Sequence, residues 1–166
     1  MDSSMIGKIE KAMFYAHEPE RIRFETFQAT VQGDHHIHTV TYNRGQWHCD
    51  CKFYGIHRVC SHIMALERIL GSAVQVAEAT YVMDSGMINK IEKAIFYAQE
   101  RDRIKFDRFS AAFQGDHKMH TVNYDHGQWC CDCSYFQHRG VCSHVMAMER
   151  LLIDSVATAE AIPMPA

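Results

Sequence analysis

The sequence predicts an α+β fold made by tandem duplication of one small module, each copy carrying an N-terminal helix, an antiparallel β-meander, a metal-binding loop and a C-terminal helix. Three observations predict it. Sliding the chain by 82 residues aligns Met1 with Met83 and Ile6 with Ile88, with no gap through Leu70 and Leu152. Of the 66 pairs from Met5 to Leu70, 39 are identical, which marks a duplication and divides the chain into modules 1–82 and 83–166. Within each copy helical periodicity gives way to strand alternation. A cysteine and histidine frame then recurs at the same offset.

The elements follow in order. Ser3 or Ser4 precedes a stretch in which Ile6, Ile9, Met13 and Ala16 recur at helical spacing, so an amphipathic helix is expected, stopped by Pro19. An alternating segment runs from Arg21 through Val31 to a Gly33-Asp34 turn, and His36 to Tyr42 alternates again. Asn43-Arg44-Gly45 supplies a second turn, from which Gln46-Trp47-His48-Cys49 leads a third strand into a loop. After the loop, Ile63, Leu66, Ile69 and Leu70 share one helical face, with Ser61 as cap. Gly71-Ser72 is expected to end this helix and cap another, since Ser72 aligns with Asp154. Thr80 to Ser85 reads as the link between modules, short enough for the halves to pack together.

The loop carries the chemistry. Cys49-Asp50-Cys51 is followed, after the eight residues Lys52 to Val59, by Cys60-Ser61-His62. The set recurs as Cys131, Cys133, Cys142 and His144. Two cysteines two residues apart on an extended chain point the same way, with Asp50 or Asp132 facing away. A CxH at a helix start closes the set from one turn, where the helix dipole favours thiolates. Three thiolates and one imidazole form a closed tetrahedral zinc set, so two Zn²⁺ per chain are expected. Between the copies the loop keeps only its valine, yet its length is unchanged, as a clamp on both ligand pairs requires. Cys60→Ser is therefore expected to lower the metal content to one zinc and to loosen only the first module. The odd number of cysteines, seven, and a histidine ending each frame argue against disulfides.

This frame resembles the SWIM zinc-finger family, whose CxC, variable loop and CxH are met by Cys49, Cys51, Cys60 and His62, and again by Cys131, Cys133, Cys142 and His144. Trp47 and Trp129 before the first cysteines, and the apolar helix after each histidine, are also similar. The resemblance covers roughly Tyr42 to Leu70 and Tyr124 to Leu152. It implies a structural zinc module that binds nucleic acid or protein. In the family such a finger usually accompanies larger domains, among them chromatin-remodelling helicases, Mutator-like transposases and recombination factors; none of these is present here.

Other groups carry blander expectations. Asp34, His35 and His38, with Asp116, His117 and His120, are read as polar turn residues rather than a second metal site, because i and i+3 in a strand point to opposite faces. Cys130 is read as an inert thiol, and Trp47 and Trp129 as core. Arg21, Arg23, Arg44, Lys52 and Arg58, with Arg101, Arg103, Lys105 and Arg108, interleave with acids and suggest a mixed solvated face. Glu67-Arg68 and Glu149-Arg150 read as helix-surface charges.

The function classes narrow accordingly. The formal charge of −3 falls to about −5 once two sites of three thiolates and one Zn²⁺ are counted, which opposes general phosphate binding. No apolar stretch suits a bilayer and no secretion pattern opens the chain, so an intracellular location is expected, cytoplasmic or, in a eukaryote, nuclear. Four ligands per site leave no open position for catalysis, and no triad, phosphate loop or carboxylate pair suggests an enzyme or a small-molecule substrate. The expected function is a non-enzymatic zinc module binding DNA, RNA or protein; the alternative is a protein-interaction adaptor docking through the helices after His62 and His144.

Overall fold

The computed structural model describes residues 2–160; Met1 and residues 161–166, at the ends of the two modules, lie outside it. Each repeat runs helix, three strands and two helices. The first has α1 (Ser3–Ala16), β1 (Ile22–Gln32), β2 (Ile37–Asn43), β3 (Gln46–Cys49), α2 (Lys52–His57) and α3 (Ser61–Leu70). The second has α4 (Ser85–Gln99), β4 (Ile104–Gln114), β5 (Met119–Asp125), β6 (Gln128–Cys131), α5 (Ser134–Arg139) and α6 (Ser143–Leu151). The α+β class and the repeated helix and meander are as the sequence predicts.

Local chemistry sets most boundaries, with some differences from expectation. The caps of α1 and α4 are Asp2 and Asp84, whose carboxylates accept the Met5 and Met87 N–H at 2.8 and 2.9 Å, rather than serine. Pro19 opens a short 3₁₀ turn, but Arg101 stands in its place in the second repeat and α4 still ends at Gln99, so proline is not what stops the helix. The β2–β3 and β5–β6 hairpins turn on Arg44-Gly45 and His126-Gly127, with φ of 45° and 94°, and 47° and 93°, the doubly positive pattern that suits right-twisted strands. Within the eight-residue loop the structure places a helical turn, α2 or α5, that the sequence left as loop. Gly71 opens a 3₁₀ turn rather than a further helix, and the link, without helix or strand, runs from Val74 to Asp84, longer than Thr80 to Ser85.

The two meanders join into one six-stranded antiparallel sheet of order β3-β2-β1-β4-β5-β6, with β1 beside β4 across an approximate two-fold axis. In β1 the apolar residues are Ile22 and Phe24, then Phe27, Ala29 and Val31, a slip in phase that would turn half the strand outward. A bulge at Glu25 absorbs it, since Phe24 pairs with Ala111 and Thr26 with Ser110; Asp107 does the same in β4. The carbonyls of these bulge residues accept the N–H of Arg44 and His126, tying each bulge to its neighbouring hairpin. All five β1 residues are buried and, with Ile63 and Leu66 of α3 and Val145 and Met148 of α6, form one core shared by both repeats.

The helices are exchanged. α1 packs against α6 of the second repeat, and α4 against α3 of the first. Their buried residues are Met5, Ala12 and Tyr15 in α1 and Met87, Ala94 and Tyr97 in α4. Ile6 and Met13, expected inward, are 45% and 48% exposed. From Met5 to Ala16 every uncharged position of α1 except Gly7 is apolar, so periodicity allows two stripes, and only the partner surface selects the one centred on the small Ala12. The exchange also means that loosening one finger removes the seat of the other repeat's helix.

Candidate metal centres

Cys49 closes β3, Cys51 is the N-cap of α2, and Cys60 is the N-cap of α3, with His62 in the first turn of that helix. The Cys51 and Cys60 sulfurs accept the backbone N–H of Tyr54 and Ile63 at 3.4 and 3.5 Å, so two of the three thiols sit at helix starts where anionic sulfur is favoured. Cys60, not Ser61, is therefore the cap. The second repeat repeats this with Cys133 to Phe136 at 3.4 Å and Cys142 to Val145 at 3.4 Å.

In each set one donor atom from every residue lies within 4.8 Å of the other three, and among the described residues these are the two such groups of His, Cys, Asp or Glu: Cys49, Cys51, Cys60, His62 and Cys131, Cys133, Cys142, His144. His62 Nδ1 is 3.7 Å from Cys49 Sγ, and His144 Nδ1 is 3.7 Å from both Cys131 and Cys142 Sγ. A tetrahedron with ordinary zinc–sulfur and zinc–nitrogen lengths has a mixed edge of about 3.6 Å, so the donors are spaced for one zinc ion. Packed this closely, the sulfurs compete for protons. The Cys49 thiol is pushed up to about 12, first by its hydrogen bond with Cys51, and Cys131 is drawn down to about 4, first by its hydrogen bond with Cys142. Hydrogen bonding to neighbouring cysteines, then burial, raises Cys60 and Cys142. A divalent cation relieves this crowding by taking the place of the protons.

Outer groups orient the ligands. Asp50, between the two cysteines, accepts the Thr39 N–H at 3.2 Å and pairs with His38 Nδ1 at 3.1 Å; Asp132 does the same with Thr121 at 3.2 Å and His120 at 2.8 Å. His38 and His120 lie against the ligand rings of His62 and His144 at centroid distances of 4.3 and 4.4 Å. They belong to neither ligand set, and Asp34 and Asp116 are salt-bridged to Lys93 and Lys11, so the turn residues form no second metal site among the described residues. A Cβ at Gly33 would lie 3.3 Å from His62 Nε2, and one at Gly115 3.3 Å from His144 Nε2; each glycine lets the hairpin close tightly over its ligand.

Trp47 and Trp129 are buried, donating Nε1–H to the Gln75 and Ala157 carbonyls at 2.8 and 2.7 Å. Cys130 is exposed. Of the cationic residues, Arg21 and Arg103 bond to the Gln114 and Gln32 carbonyls across the β1–β4 seam, Arg101 to the Leu151 carbonyl, and Arg44 pairs with Glu25. Glu67 and Glu149 are not plain surface charges. Each accepts a tail N–H, from Ala77 at 2.8 Å and Ala159 at 3.3 Å, and burial raises both carboxyls. The helices after His62 and His144, expected as docking faces, are largely covered by α4 and α1. Sequence reasoning missed Tyr15 and Tyr97, whose rings stack on the ligand histidines; nothing local to a finger marks residues that reach it from the other repeat.

Beside each centre lies a cleft walled by the finger of one repeat and the helix of the other. The first, about 450 Å³, holds Lys52, Phe53, Lys90 and His36. The second, about 570 Å³, holds Ser134, Tyr135, Lys8 and Lys118. No helix among the described residues is long and apolar enough to cross a membrane.

The SWIM zinc finger model matches residues 38–71 and 120–152, starting four residues before the span the ligand frame suggests and so taking in most of β2 and β5. No curated protein and no solved structure matches the chain. The donor spacing, the helix-capping sulfurs and the two family matches agree: the chain carries two SWIM zinc fingers in tandem, each a Cys₃His site for one structural zinc ion.

Proposed function

We propose that this chain is a non-enzymatic module in which zinc acts as a structural clamp and the exchanged helices present a surface to a macromolecular partner, and that this partner is a protein. The observation that carries the reading is repeated in both halves. Phe14 and Phe96, at equivalent positions on α1 and α4, are 69% and 63% exposed, with Ile6 and Ile88 at 45% and 44%. An exposed phenylalanine with an exposed isoleucine gives each exchanged helix apolar surface of the kind that interaction sites use. The net charge of −3, lower still with zinc bound, also supports protein over nucleic acid. Four protein ligands per zinc support the non-enzymatic assignment.

A nucleic-acid partner draws its support from the clefts, where Lys8 and Lys118, or Lys52 and Lys90, stand near the fingers. Each cleft also holds Lys11 or Lys93, paired with Asp116 or Asp34, while Asp132 or Asp50 is held by His120 or His38, so the local balance there is one lysine in excess. Affinity capture from the native host, with and without nuclease, separates the two. The expected result is one stoichiometric protein that survives nuclease and is lost from the Phe14→Glu/Phe96→Glu double variant. Nuclease-sensitive retention, unchanged in that variant, would replace the protein reading with the nucleic-acid one.

A further inference from the structure

Each ligand histidine is covered by an aromatic ring from the opposite repeat. Tyr97 of α4 stacks on His62 with centroids 5.9 Å apart and planes 14° from parallel, and Tyr15 of α1 stacks on His144 with the same values. Both tyrosines are 3% exposed, so they are fixed parts of the wall. Their seats are built across the repeat boundary as well. The Arg103 guanidinium lies 5.0 Å from the Tyr97 ring while its Nη1 donates to Gln32 of the first repeat at 2.9 Å, and Lys93 pairs with Asp34 at 2.8 Å. In the other half Arg21 lies 4.6 Å from Tyr15 and donates to Gln114 at 2.9 Å, and Lys11 pairs with Asp116 at 2.9 Å.

We propose that each zinc centre is a composite site, its four ligands and part of its wall (His38, or His120 with Phe113) supplied by one repeat and the rest of its wall by Tyr97 or Tyr15 of the other, so that the helix of the opposite repeat governs zinc release. A chelator or water must displace a bound imidazole or thiolate for the ion to leave, and the shell around the ligands controls that access. Removing the ring opens the His62 or His144 side of the site without touching a ligand. The effect therefore falls on the finger distant in sequence and spares the near one.

The test uses the full chain loaded with ¹¹³Cd, whose two resonances are assigned with Cys60→Ser and Cys142→Ser. Each resonance is then followed after adding excess EDTA. Tyr97→Ala is expected to release metal from Cys49, Cys51, Cys60 and His62 about 10- to 100-fold faster and to leave the other site unchanged, the scale of outer-shell losses. Tyr15→Ala should act in reverse, and Tyr97→Phe, which keeps the ring, should retain wild-type release. Should Tyr97→Ala fail to fold, Lys93→Ala, which removes only a partly exposed ion pair, should accelerate the same site by about 2- to 5-fold. Equal acceleration of both sites, acceleration confined to the substituted repeat's own finger, or no change would overturn the proposal.

Discussion

The two zinc centres share every ligand and every spacing, yet their surroundings differ. In the second, Phe113 packs against His144 at a centroid distance of 5.1 Å and against Tyr15 at 5.2 Å; the equivalent of Phe113 in the first is Val31, which has no ring. At the entrance of the exchanged helix, Arg139 of α5 pairs with Asp2 at 3.0 Å and Ser4 donates to the Tyr135 hydroxyl at 3.0 Å. In the first centre Phe53 and His57 stand at these positions and stack on each other, while Lys90 over the Phe53 ring only matches Lys8 over the Tyr135 ring, a contact both centres have. The first centre carries the thinner wall. Identical donor sets therefore need not hold their metal equally well, because the shell around a closed site is set by residues outside the motif.

The largest test of this comparison removes a ligand from each side. Cys60→Ser and Cys142→Ser should each lower the zinc content from two ions to one by native mass spectrometry, since a structural site is worth about 10 to 16 kcal/mol in finger peptides. Hydrogen exchange should then quicken in α4 for Cys60→Ser and in α1 for Cys142→Ser, following the exchanged helices. Loss of both ions from either variant would show that the centres form one indivisible unit, and two retained ions would show the ligand assignment to be wrong. Next in size is Phe113→Val, which gives the second centre the first one's wall. It should cost about 2 to 4 kcal/mol in thermal unfolding, as truncations of a buried phenylalanine do, and bring chelator-driven release at the second site toward the rate of the first. Unequal rates persisting in this variant would place the difference elsewhere. The smallest effect lies in the clamp itself. Arg58 and Gly140 hold equivalent left-handed positions with φ of 60° and 72°. Gly140→Ala should cost about 1 kcal/mol, and Arg58→Gly should gain less than about 1 kcal/mol because it also removes a guanidinium 5.7 Å from the Tyr54 ring.

The elements were largely legible because their signals are local. The turns at Gly33 and Gly45, the alternation through Val31 and the helix after His62 each depend on residues within a few positions of one another. The short helices α2 and α5 were not legible, since Lys52 to His57 and Ser134 to Arg139 share no residue at equivalent positions and are too short for periodicity to register. What shapes them is the sulfur capping their first turn. Likewise Asp50 reads as an outward side chain in an extended CxC, and only the paired hairpin shows that it holds His38 against a ligand.

The sequence by itself determined the duplication, the α+β class and all eight donors, because a CxC at a strand end and a CxH at a helix start bring ligands together over a dozen residues. Only the tertiary structure decided that β1 pairs with β4, that α1 and α4 change sides, and that Tyr15 and Tyr97 close centres more than 30 residues away in the chain. The physical reason lies in the duplication itself. Two repeats of one plan offer each helix two similar seats, and which one it takes depends on the joined sheet and the reach of the link between Val74 and Asp84, neither of which leaves a periodic mark.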